Sequence, residues 1–144
     1  MLLENVVDYP NICKKEEFVF NKNIAGFVFV SESDYEHSGI HSKTAYYRLK
    51  NNTAEDGYDA MIEMFFCDSK AESHEMIKSF IDDYTMIEVY ASNLKVGDLA
   101  LGGIYRVDFV RGNIYMFVES YDDVAIDSLA KEIDLQILEI INNE

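Results

Sequence analysis

The segment 104–120 leaves little conformational choice. Two runs rich in β-branched and aromatic residues, 104–111 and 114–120, are separated only by Gly112-Asn113. A two-residue link with glycine first is a hairpin signature, because the turns that match strand twist need positive φ. In the first run Tyr105, Val107 and Phe109 alternate with Arg106 and Asp108. Period two sends these sets to opposite faces, which reads as a sheet with one wet side.

Other segments carry the same β-forming composition: 18–20, 24–31, 44–50, 58–67 and 85–91. Two segments have helical periodicity instead. The first opens on Ser69-Lys70-Ala71-Glu72, a capping box, and places Met76, Ile77, Phe80, Ile81 and Tyr84 on one stripe. The second runs from about 124 to 141, with Asp122 or Asp123 as cap. Its stripe is Ile126, Leu129, Ile133, Ile137, Ile140 and Ile141. Pro10, the only proline, is expected to end a short N-terminal turn or helix over 2–9. Residues 62–66 resemble 114–118, and each run precedes an acidic turn and a helix. The expected architecture is α+β: a mainly antiparallel sheet of about five to seven strands, with both amphipathic helices packed on one face and a possible strand–helix repeat. A chain of 144 residues suits a single domain over 1–144, with an N-terminal segment at 1–17 and a core at 18–144.

Charge narrows the partners. Lys and Arg total 12 against 27 Asp and Glu, a net charge of -15. Such a field repels phosphate backbones and anionic lipid, so direct nucleic-acid binding is not expected, whereas a basic protein would be attracted. The longest apolar run, 24–30, is far too short to span a membrane. Residues 1–10 lack the basic start and apolar stretch of a signal peptide. The expectation is a soluble chain, cytoplasmic by default and extracytoplasmic if a leader has been removed. Cys13 and Cys67 fit no zinc or redox spacing, and both a disulfide and two separate thiols stay open.

Three stretches carry a resemblance: Val96-Gly97-Asp98-Leu99-Ala100, the hairpin Val107-Asp108-Phe109-Val110-Arg111-Gly112-Asn113, and Leu129-Ala130-Lys131-Glu132-Ile133-Asp134. Together they are similar to the C-terminal pattern of small uncharacterised bacterial and archaeal domains, many of them secreted or lipoprotein-like. The resemblance implies an α+β strand–hairpin–helix layout and an extracytoplasmic home, and it brings no functional residue. Read directly, Gly97 and Gly112 suit turns, Asp98 suits nearby backbone donors, and Arg111 suits a carboxylate partner.

Several groups are candidates for chemistry. His37 and His41, with Asp34 and Glu36 beside them, are the ligand types of a zinc-like metal, although Ser38-Gly39 makes the stretch a loop rather than a helix turn. Cys67 and His74 are the nearest approach to a nucleophile and base, with no supporting signature. Glu119, Asp122, Asp123 and Asp127 cluster where a strand meets a helix, the place where carboxylates also stabilise a helix N-terminus. Glu32, Asp34 and Glu36 alternate. On a strand they would form a carboxylate row with a spacing of about 6.5–7 Å, able to imitate a phosphate backbone or to keep a sheet edge from aggregating.

The leading functional expectation is a non-enzymatic binding or accessory module that recognises a macromolecular partner, with Tyr46 and Tyr47 as contact residues, one of them in the core. The second is an acidic inhibitor, a nucleic-acid mimic or immunity-type protein, that occupies a basic protein through Glu32, Asp34 and Glu36. The third is a small metal-dependent enzyme built on His37 and His41. No cofactor is called for.

Overall fold

A computed structural model describes residues 8–24, 26–52, 57–83, 90–91, 95–103, 105–121 and 123–143. Eight strands form one sheet, and every pairing in it is antiparallel. The first four are β1 (Asn23–Ile24), β2 (Phe27–His37), β3 (Ile40–Leu49) and β4 (Ala60–Phe66). Helix α1 (Lys70–Asp83) follows, then β5 (Tyr90–Ala91), β6 (Leu99–Gly103), β7 (Arg106–Arg111), β8 (Ile114–Ser120) and α2 (Asp123–Ile141). The spatial order is β1-β2-β3-β4-β8-β7-β6-β5. Two meanders therefore meet in the middle, where β4 lies against β8 from Ala60↔Ser120 to Phe66↔Ile114.

Alternation along β8 separates two layers. Ile114, Met116 and Val118 join the larger core with Ile126, Leu129, Ile133 and Ile137 of α2. Tyr115 and Phe117 point the other way, into a smaller cluster with Ile77 of α1, Leu101 and Val110. The helices thus lie on opposite faces, not on one. This corrects the expected packing and also breaks the expected repeat. Met64 does pair with Met116, so the two similar segments are neighbours. A two-fold axis through that pair would carry α1 to the same face as α2, and it does not. The strand count also differs: the two-residue strand β1 and the glycine-ended strand β6 were not expected as separate strands, whereas β5 falls inside the expected run 85–91.

Coverage on both faces explains why β8 reads as an almost unbroken apolar run and is buried at six of its seven positions. Strand β4, by contrast, alternates strictly between buried and half-buried residues. The wet side expected for β7 is not wet. Asp108 is 2% exposed, because α1 covers that face of β7 and β8. The Phe18-Val19-Phe20 segment makes no strand. Phe18 and Phe20 are buried in the larger core and Val19 is exposed. The helix cap forms as expected at Ser69, whose hydroxyl accepts the Glu72 amide at 3.2 Å. The Glu72 carboxylate reaches one residue further back, to the Asp68 amide. Residues 1–7, 85–89 and Tyr84, for which turns, strand and stripe were expected, lie outside the described residues. Among the described residues no helix is long and apolar enough to cross a membrane.

The tip of the β7–β8 hairpin is fastened by buried polar groups. Arg111 donates two hydrogen bonds to Asp134 of α2, from Nε at 2.8 Å and a terminal nitrogen at 2.7 Å. Its other terminal nitrogen donates to Tyr9 at 3.0 Å, and the Tyr9 hydroxyl donates to Asp98 at 2.5 Å. Asp98 accepts the Gly112 amide, and Asp134 accepts the Gly97 amide. Gly97 has φ +65°, and a Cβ there would meet the Val110 carbonyl at 2.5 Å and the Phe109 ring at 2.7 Å, so only glycine fits. Asn113, 2% exposed, accepts the Cys13 amide and donates to the Cys13 and Cys67 carbonyls, each at 2.8 Å.

Asn113→Ala would take the side-chain partner from three backbone groups, two buried at Cys13 and one part-buried at Cys67. At roughly 1–3 kcal/mol each, the expected loss is at least about 3 kcal/mol, read as a fall in the urea midpoint at unchanged slope. A loss below about 1 kcal/mol would show that water replaces the side chain.

Candidate functional site

Strands β2 and β3 form a hairpin whose turn is Ser38-Gly39, with φ of 52° and 80°. Positive φ at both central residues is the geometry of a tight two-residue turn, so the stretch expected to be a loop is a strand up to His37 and again from Ile40. This disposes of the histidine pair. His37 pairs with Ile40 and Glu36 with His41, so the two imidazoles are one register step apart and leave opposite faces of the hairpin. His41 Nδ1 lies 3.4 Å from Glu36, while the His37 ring lies 6.2 Å from Tyr35. Among the described residues no group of three or more His, Cys, Asp or Glu is placed to hold a metal ion.

The carboxylate row does form. Glu32, Asp34 and Glu36 oppose Ala45, Lys43 and His41 and share one face. The row is not free, however. Lys15, from the one-turn helix Lys15–Glu17, bonds Asp34 at 2.6 Å and also bonds Glu36. The hydrogen bond from Lys15, then that from His41, holds the Glu36 carboxyl below its ordinary range, and hydrogen bonds to Asp34 and Glu36 raise the Lys15 ammonium. One cation thus offsets part of the row's charge, which departs from three evenly free phosphate mimics.

The two tyrosines divide as alternation requires. Tyr47 is fully buried and donates to the Asn21 carbonyl at 2.8 Å, and burial pushes its phenol up. As a contact residue it is corrected to a core residue. Tyr46 is half-buried, with its ring 4.6 Å from that of the exposed Tyr58.

A polar cluster under α1 had not been anticipated. Arg106 donates to Asp108 from two nitrogens, at 2.7 and 2.9 Å, and to Glu119 at 3.0 Å. Tyr115 donates to Asp108 at 2.6 Å. The guanidinium lies between the Phe80 and Phe117 rings, 4.6 and 3.7 Å from their centroids. Burial works against the Arg106 charge, but Asp108 outweighs it, and burial followed by Asp108 raises the Tyr115 phenol. One signal was legible beforehand. A two-residue turn at Gly112-Asn113 fixes Arg106 opposite Glu119. The cluster's bonds are made within itself, which marks it as structural.

The remaining chemical candidates are also occupied or inert. Burial pushes the thiols of Cys13 and Cys67 up to about 12, so neither is a thiolate near neutrality. Cys67 Sγ sits 3.5 Å from Met76 Sδ rather than on a base. His74 is buried; among the described residues its Nε2 has no hydrogen-bond partner, and burial lowers its pKa. Glu119 is taken by Arg106, and Asp122 lies outside the described residues. A groove of about 370 Å³ opens beside the hairpin turn, lined by residues that include Ile40, Phe65, Cys67, Glu72 and Met76. No family model, curated protein or solved structure matches the chain.

Glu63 neighbours this polar cluster on β4, and burial, the largest cause, raises its carboxyl. Its contribution to stability is present below the ordinary Glu range, about 4.3, and is lost as pH rises through the raised folded value. Glu63→Gln should therefore raise the melting temperature near pH 7, with the gain fading towards pH 4. A variant that is less stable at neutral pH would mean that the charge of Glu63 is held by Arg106 rather than penalised.

Proposed function

We propose that this chain is a non-enzymatic binding module that recognises a protein partner through the β2–β3 hairpin. The observation that carries the reading is the exposure of β2: from Val30 to His37 every residue is exposed. The core does not need this arm, which adds no buried side chain after Phe27. It carries large exposed apolar groups at Val30 and Tyr35, and Ile40 follows across the turn. Tyr35 and Ile40 are diagonal neighbours on one face of the hairpin, and clustered exposed apolar groups with a polar surround are a usual mark of an interaction surface. The groove beside Ile40 offers a socket for an apolar anchor from the partner.

The acidic-inhibitor reading stands as a second one, because Glu32, Asp34 and Glu36 do share a face and the whole chain carries a net charge of -15. It differs from the first in how strongly salt weakens binding. The resemblance to small α+β domains enters here only through its residues. Gly97, Asp98, Arg111, Gly112, Asn113 and Asp134 belong to the hairpin-tip network, which supports reading that pattern as structural.

Affinity capture from source-cell lysate tests the proposal, with Tyr35→Ser/Ile40→Ser as the comparison. The native chain should retain a stoichiometric protein that the doubly substituted chain loses while keeping its circular dichroism and melting temperature. Equal capture by both chains would move recognition away from the hairpin.

A further inference from the structure

The arm has a second property besides exposure. Strand β1 pairs with β2 only at Phe27 and Val28, and beyond Val28 no described strand lies on the outer side of β2. The direction of the backbone groups along that side follows from the register. In a two-residue hairpin the residues flanking the turn form a hydrogen-bonded pair, here His37 and Ile40. Counting by twos, Tyr35, Ser33 and Ser31 turn their amides and carbonyls to β3. Glu36, Asp34 and Glu32 turn theirs outward. Two bonds elsewhere fix the same parity independently. The Tyr47 carbonyl accepts the Asp59 amide at 2.8 Å, so Tyr47 faces away from β2. The Phe29 amide, opposite Tyr47, donates outward to Lys22 at 2.9 Å.

From Ser31 to His37, the residues whose backbone groups face no described strand are therefore the three acidic ones. Their carboxylates occupy one face of the edge, and Tyr35 and the exposed Val28 occupy the other. We infer that the outer edge of β2 takes up an extended segment of the partner as an added strand, and that this segment alternates basic and apolar residues. The inference rests on the binding-module reading and specifies its mode. Main-chain bonds to Glu32, Asp34 and Glu36 supply affinity, and side-chain alternation supplies selectivity. Lysine or arginine fits beside Glu32 and, in competition with Lys15, beside Asp34 and Glu36, and valine-like residues fit beside Tyr35. A second copy of this chain is the wrong occupant, because it would bring a like row of carboxylates against this one.

The probe is a ten-residue peptide alternating lysine and valine, with a glutamate–valine peptide as control. Bound lysine–valine peptide should slow amide exchange at Glu32, Asp34 and Glu36 and leave Ser33 and Tyr35, already paired to β3, unchanged. Asp34→Pro removes one outward amide at an edge position that tolerates proline; because it also removes the carboxylate paired with Lys15, Asp34→Asn, which keeps the amide, is the reference. Relative to Asp34→Asn, the proline variant should weaken the peptide by about tenfold or more without altering the melting temperature of the free chain. If Asp34→Pro binds as Asp34→Asn does, the peptide is held by side chains alone: strand addition is then wrong while the binding-module reading survives. If the glutamate–valine peptide binds equally, or neither peptide binds, the charge-matched strand is overturned. A dimer in sedimentation that Asp34→Pro disperses would make the occupant a second copy and overturn the proposal. Should that variant fail to fold, the exchange pattern of the native chain decides alone: absence of protection at the three acidic amides refutes the inference. Loss of the hairpin-dependent partner in the capture experiment is a separate failure, that of the binding-module reading.

Discussion

Arg111 reaches from the end of β7 to α2, bonds Asp134 with two parallel hydrogen bonds, and holds Tyr9 with its remaining nitrogen. Asp98 and Asn113 extend the contact to the turn before β6, to Cys13 and to Cys67. Segments from the beginning, middle and end of the chain converge on one hairpin tip. Asp98 and Asp134 are nearly sealed from solvent, with side-chain exposures of 3% and 6%. Charges buried this deeply cost more in lost hydration than they return unless each is matched in geometry. Their value here is directional. Apolar burial would accept many placements of α2 on the sheet, whereas a bidentate guanidinium–carboxylate contact accepts very few. Register, helix position and the course of the N-terminal segment all follow from it.

With the tip fixed, the two layers become unequal. The face under α2 is apolar and also receives Phe18 and Phe20 from the N-terminal segment. The face under α1 has fewer apolar partners and encloses Arg106, Asp108 and Tyr115. Strands β7 and β8 both lie between the two helices and give side chains to both layers. Neither layer extends over the far half of β2, which is why that half is exposed.

The sequence made some of this legible, for physical reasons. The Gly112-Asn113 hairpin was readable because a two-residue turn has few backbone solutions, and α2 was readable because its isoleucines and leucine keep strict helical spacing. The carboxylate row was readable because period two is a property of any strand. Which face is wet was not. Arg106 and Asp108 look like solvent residues until a distant helix covers them, and that covering is a tertiary event with no local trace. For the same reason helix placement on opposite faces was missed: alternation shows that a strand has two faces, not what covers each. Tyr46 and Tyr47 were separable by parity but not assignable, since only the position of the core decides which ring is inside. The histidine pair failed on a turn. A loop would have left His37 and His41 free to converge, but a strand pair sends them apart.

The functional account depends on an edge that stays open while the centre is closed. Native-state hydrogen exchange on the free chain, resolved by residue, reads that contrast directly. The account predicts slow exchange through β8, and along β2 an alternation in which the amides of Glu32, Asp34 and Glu36 exchange fast and those of Ser33 and Tyr35 exchange slowly. Uniform protection along β2 would contradict it, because the outer edge would then already be occupied.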